Sequence, residues 1–224
     1  MMVNDKGEQA TEQMFALVGR AITRWSFVEN ELCSIFMVCT SDVVPMRHGL
    51  DFGECAVPNA VFYSVENFRG KLALIDAALG AYVRKWEDWE MAIHADWTKL
   101  REKTRKLSLR RNRLAHYMVL PGFDDGDDDL ARPPRLVPPY GSPAFMRETG
   151  LRPGKLTLSP QHVSHLEYAF FLLEKKLKEF AYRLASQEEL FDLYVERLTR
   201  RTDSHCRRDP SRAERLRRAI SSPE

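Results

Sequence analysis

The chain has 224 residues, 44% of them apolar, and a formal net charge of +2, which excludes a disordered composition and leaves room for a sizeable core. Cys33, Cys39, Cys55 and Cys206 form no CxxC pair and no zinc-ligand spacing, and no segment has the apolar length of a membrane span. MMVNDKGEQATEQ at the N-terminus lacks the apolar core of a signal peptide, so the expectation is a cytoplasmic protein without cofactor or structural metal.

In chain order, Met14, Leu17, Ala21, Trp25, Val28, Leu32, Ile35 and Cys39 recur at i, i+3 or i+4 and predict a first amphipathic helix fading by Asp42 to Pro45. Residues 42–58, with Pro45, Gly49, Gly53 and Pro58, read as a loop. Val61, Val65, Phe68, Leu72, Ile75, Leu79 and Tyr82 predict a second helix. A third is expected from about Trp86 to Met118, with the stripe Trp86, Trp89, Ile93, Trp97, Leu100, Thr104, Leu107, Arg111, Leu114 and Met118.

Residues 121–160 break the pattern with eight prolines, five glycines and the acidic run Asp124 to Asp129. An irregular stretch of this length is either functional or unstructured. Within it, ARPPRLVPPY suggests extended or polyproline geometry and KLTLS a short strand. Ser159 as N-cap and Pro160 in the first turn open a fourth main helix, striped by Val163, Leu166, Phe170, Leu173, Leu177, Phe180 and Leu184. A weaker helical stretch spans Glu188 to Thr199, and residues 197–224 carry nine arginines against four acids.

Four apolar stripes without strand alternation predict an all-α fold, a helical bundle of four to five helices with a long irregular insertion before the fourth main helix. The expected organisation is one helical domain over residues 1–199, containing the irregular loop 121–158, and a mobile Arg-rich tail over 200–224.

Chemistry concentrates on the third helix. Lys99, Arg101, Lys103, Arg105, Lys106, Arg110, Arg111 and Arg113 stand against the single acid Glu102, eight cations less one acid, or +7 over residues 99–113. Such density on one rigid element attracts polyanions, although a basic run is also commonly a solvated face. Arg111 interrupts the apolar stripe; on a helical wheel His116 lies about 140° from it, with Ala115, Ser108 and Val119 between them. A fixed cation and a titratable base flanking small side chains suit a phosphate. The structural alternative is a buried ion pair, for which Glu29 on the first helix is the candidate partner of Arg111.

The stretch RNRLAH, in which four residues beginning with Asn112 separate Arg111 from His116, resembles the signature of the HEPN superfamily. The Trp and Glu pattern of AITRWSFVENELCSIF is similar to many bacterial members, and the resemblance covers roughly residues 10–185. It implies a helical bundle that dimerises so that Arg and His of both chains meet in one cleft. It also implies a metal-independent endoribonuclease, in toxin–antitoxin or phage-defence settings, that cleaves RNA by 2′-OH transesterification. Arg111, His116 and Asn112 would then be catalytic, Lys106, Arg110 and Arg113 would bind RNA, and Glu29 would support. The implied partners are RNA, a second copy of the chain and an antitoxin or effector protein. The alternative is a catalytically inactive HEPN-like module binding RNA, nucleotide or a partner protein.

Two other features have competing readings. His162 and His165 have the i, i+3 spacing of a zinc pair but lack a third ligand, and read as a solvent-facing helix start. Trp86, Trp89 and Trp97 have stacking capacity, yet their heptad spacing reads as core or dimer interface. No Gly-rich phosphate loop, GxSxG elbow or paired-carboxylate motif occurs.

Overall fold

The computed structural model describes residues 5–41, 44–46, 49–51, 56–83, 90–121, 133–139, 142 and 157–206. Within them the chain is an all-α bundle of five helices: α1 (Asp5–Thr40), α2 (Ala56–Ser64), α3 (Phe68–Val83), α4 (Glu90–His116) and α5 (Pro160–Cys206). Two antiparallel pairs of three-residue strands accompany them, β1 (Val44–Met46) with β2 (Gly49–Asp51) and β3 (Met118–Leu120) with β4 (Arg135–Val137).

The two longest helices, α1 and α5, form the spine. Met14, Ala21, Trp25, Val28, Leu32 and Ile35 are all buried and lie on one stripe of α1, as the i, i+3/i+4 spacing requires. The α5 stripe of Val163, Leu166, Phe170, Leu173, Leu177, Phe180 and Leu184 is buried throughout. Trp25 joins three helices, its ring centroid 5.1 Å from that of Phe170 on α5 and 5.2 Å from that of Phe68 on α3. Burying side chains of this size contributes about 1.5–3 kcal/mol each, which outweighs helix propensity in choosing these faces. Arg24 pairs with Glu174 at 3.0 Å and Arg20 with Glu167 at 3.8 Å, so α1 and α5 run in the same direction.

The expected second helix is two. Its apolar phase continues through the break, but Val65, Glu66 and Asn67 are non-helical, and the Asn67 Oδ1 accepts the Gly70 backbone N–H at 2.6 Å. Asn competes with the helix backbone for such bonds and here caps α3. Gly70 is needed for the approach, because a Cβ there would lie 2.8 Å from Val65 Cγ1.

The loop expected over residues 42–58 also contains structure: β1 pairs with β2, and α2 begins at Ala56, with Pro58 tolerated in its first turn. α4 ends at His116 rather than Met118, which instead pairs with Val137 in the next sheet. Trp86 and Trp89 lie outside the described residues.

α4 runs opposite to α5. Near its start Trp97 stacks on Phe180 with centroids 5.8 Å apart, and Arg183 Nη2 donates to Asp96 at 2.8 Å. Trp97, 3% exposed, is thus a core residue and donates from Nε1 to Asp76 of α3 at 2.7 Å.

The insertion expected to be irregular is pinned at two points. Val119 pairs with Leu136, and Leu136 exchanges backbone hydrogen bonds of 2.9 Å with Leu158 in both directions. Leu136 is 1% exposed and Val137 4%, so apolar burial accompanies the backbone pairing. The extended geometry read from ARPPRLVPPY holds at Arg135–Val137, and KLTLS supplies one bridge at Leu158. The run Asp124 to Asp129 lies outside the described residues. This clasp ties the end of α4 to the start of α5.

α5 opens as expected on Ser159 and Pro160. It then continues to Cys206 without interruption, through the weaker stretch and past the boundary expected at residue 199. Residues 207–224 of the expected tail lie outside the described residues. No helix among the described residues is long and apolar enough to cross a membrane.

Candidate functional site

Arg111 stands four residues after Leu107 and three before Leu114, which are 6% and 2% exposed. Helical geometry therefore aims its Cβ at the bundle, along the line of Thr104 and Leu107. The side chain is half-buried, and its Nε is fully covered with no hydrogen-bond partner. Nη1 makes a long contact of 3.4 Å to the Asn112 Oδ1, and no acid among the described residues pairs with the guanidinium. A covered donor left unmade costs about 1–3 kcal/mol.

The expected pairing of Arg111 with Glu29 does not occur. Glu29 accepts from Trp25 Nε1 at 2.8 Å and from Lys71 Nζ at 2.7 Å. Lys71 is the cation that needs it: only 7% exposed, it sits on the apolar side of α3 with the Phe62 and Tyr63 rings 5.2 and 5.1 Å away. Its position three residues after Phe68 and four before Ile75 was the sequence signal for this buried pair.

Asn112 and His116 are exposed. His116 closes α4 and its side chain takes part in no hydrogen bond or ion pair among the described residues, so the Arg111 and His116 side chains are not joined within one chain. Lys106 lies 3.5 Å from Glu102, which also accepts two hydrogen bonds of 2.9 Å from Arg105. These hydrogen bonds from Arg105, and the charges of Arg105 and Lys106, hold the Glu102 carboxyl down at about 2.

Arg110 and Arg113 are exposed and have no ion-pair partner among the described residues. They form one wall of an open cleft of roughly 320 Å³; His162 and His165 of α5 form another, and Leu158 and Leu166 are the apolar lining among the described residues. The solvent-facing helix start expected for the two histidines is borne out. Their meeting with the arginines follows from the antiparallel packing of α4 on α5 and from the clasp between them.

His162 also has a local task. The Ser159 Oγ accepts the His162 backbone N–H at 3.3 Å, while the His162 Nδ1 lies 3.3 Å from the Ser159 backbone N–H and 2.8 Å from its Oγ. This is the reciprocal arrangement of a capping box, with His in the place usually held by Glu or Gln. The Ser159 N–H is a donor, so Nδ1 accepts and the neutral ring carries its proton on Nε2.

Among the described residues no three His, Cys, Asp or Glu side chains converge in a metal-binding group. Burial pushes the Cys39 thiol up to about 12, which keeps it protonated and unreactive. No protein-family model, no curated protein and no solved structure matches this chain.

Proposed function

We propose that the chain is an endoribonuclease of the HEPN type, cleaving RNA by 2′-OH transesterification without a metal ion. The observation that carries this reading is Arg111: a guanidinium on the inward stripe of α4, with a covered Nε and no acid partner among the described residues. A cation in that condition is stabilised by an incoming anion, and Arg matches the bidentate geometry of a phosphate.

His116, exposed at the end of the same helix, removes the proton from the ribose 2′-OH. The O2′ attacks the adjacent phosphorus, the bond to the 5′ oxygen breaks, and the products are a 2′,3′-cyclic phosphate and a 5′-hydroxyl end. Arg111 neutralises the charge that builds on the phosphoryl oxygens. Asn112, already in contact with the Arg111 guanidinium, orients it. The leaving oxygen needs a proton, and a base that has just taken one is poorly placed to give it in the same step. A second copy of the chain brings a second His116, so the reading includes a homodimer. Arg110, Arg113 and Lys106 attract the strand. A toxin–antitoxin or phage-defence setting, with an antitoxin or effector partner, belongs to the same proposal.

The test is incubation of the full chain with end-labelled single-stranded RNA in EDTA, beside Arg111→Ala and His116→Ala. Cleavage by the wild type alone, leaving cyclic-phosphate ends and blocked by a 2′-deoxy nucleotide at the cut, is the expected result. RNA that all three proteins bind and none cuts points instead to a non-catalytic binding module, a reading favoured by the lack of any bond between Arg111 and His116 within one chain.

A further inference from the structure

The cleft between the end of α4 and the start of α5 lies on a different face of α4 from Arg111. Arg110 and Arg113 fall about 100° and 160° round the helix from it, with Arg113 about 60° from His116. Among the described residues its polar side chains are Arg110, Arg113, His162 and His165, all able to donate, and none of the described lining residues is an acid.

We propose that this cleft binds a nucleotide through its phosphate, presented either by a free nucleotide or by an RNA strand. The charge pattern selects the sign of the ligand. Two guanidiniums repel a metal cation that the His162 and His165 pair would otherwise suit, and they match a phosphate. With its Nδ1 engaged by Ser159, His162 presents a proton at Nε2 in either protonation state. Leu158 and Leu166 add apolar surface that a bare anion would not use but a ribose or base would. A volume of roughly 320 Å³ is at the lower end of small-molecule sites.

Ordinary structural roles account for half of the wall. Arg113 sits in the last turn of α4, where a cation complements the exposed carbonyls, and His162 completes the capping box. Arg110 and His165 have no such task, and they face the same space from two helices.

The test uses the full chain and does not depend on catalysis. Affinity is measured by calorimetry for inorganic phosphate and AMP, and by fluorescence anisotropy for a labelled 2′-O-methyl RNA oligomer, which resists transesterification. The cleft variants are Arg110→Ala/Arg113→Ala and His165→Gln. The control, Lys99→Ala/Arg105→Ala, removes the same charge from the other half of the helix. We expect the cleft double variant to weaken nucleotide binding at least tenfold and His165→Gln several-fold, with the control within twofold of wild type.

AMP binding with that pattern names a free nucleotide, and binding of the oligomer alone names an RNA strand. Equal losses in cleft and control variants, loss in neither, no binding of AMP or oligomer, or phosphate binding as tight as AMP overturns the proposal. His116→Ala with cleavage lost and oligomer binding unchanged leaves the cleft standing, while cleavage by wild type with no effect of the cleft variants removes it. The two readings therefore fail separately.

Discussion

Up to Lys106, each Lys and Arg of α4 except Lys103 has an acid beside it: Asp96 for Lys99, Asp76 for Arg101, and Glu102 for Arg105 and Lys106. Beyond Leu107, Arg110, Arg111 and Arg113 have none among the described residues. The chain spends its basic residues on both halves of one helix, but the neighbours differ. The first half faces Asp76 of α3, and the second faces the histidine-bearing start of α5. Density of charge in the sequence is thus a poor guide to available charge. The difference teaches that the half able to take a polyanion is the one whose cations the fold has left unanswered.

The sharpest way to break this comparison is catalytic. His116→Ala is expected to lower RNA cleavage by at least about 10²-fold, the ordinary contribution of a general base, with little change in Tm because the side chain is exposed. Cleavage that survives the substitution removes the unpaired end as the centre of chemistry. On the paired end the matching effect is on folding. Trp97→Ala empties a core position stacked on Phe180 and strips Asp76 of a donor, so urea denaturation should show a loss of about 3–5 kcal/mol.

The same substitution should change sign between the two halves. Arg111→Met replaces a guanidinium with a covered, unpartnered Nε and is expected to raise stability by about 1 kcal/mol while abolishing cleavage. Arg101→Met breaks a 2.7 Å bond to Asp76 and is expected to lower it by about 1 kcal/mol. Destabilisation at both positions in urea melts would show that Arg111 is structurally satisfied after all.

The smallest effect belongs to Glu102, which sits on the surface. Its carboxyl is lowered from 4.5 to about 2, so its stabilising contribution is present above 4.5 and is lost as pH falls towards 2. A Tm difference between wild type and Glu102→Gln is expected at pH 7 and should close between those two values; a difference that persists at pH 2 would place its origin elsewhere.

Much of the bundle was legible because burial of one helix face writes a 3.6-residue period into the chain. The stripes of α1 and α5 were read almost residue for residue. The break at residues 65–67 was hidden because Val61, Val65 and Phe68 keep helical phase across it, and the only local sign was Asn67 as a cap. The clasp of β3, β4 and Leu158 was largely illegible: its strands are three residues long and their stability comes from backbone bonds between distant segments. Glu29 was assigned to the wrong cation for a similar reason. A period shows that Glu29, Lys71 and Arg111 each lean inward, but not which of them meet. His162 and His165 were placed rightly at a helix start, while their neighbours across the cleft lie some fifty residues earlier in the chain.

By itself, the sequence determined the helices, their inward faces, the capped start of α5 and the run that holds Arg111, Asn112 and His116. These are local properties, set by side-chain period and by hydrogen bonds within one turn. Only the tertiary structure decided which charges are neutralised and which share a cleft. Ion pairs and clefts depend on distances of a few ångströms between separate helices, and those distances are set by how the whole bundle packs.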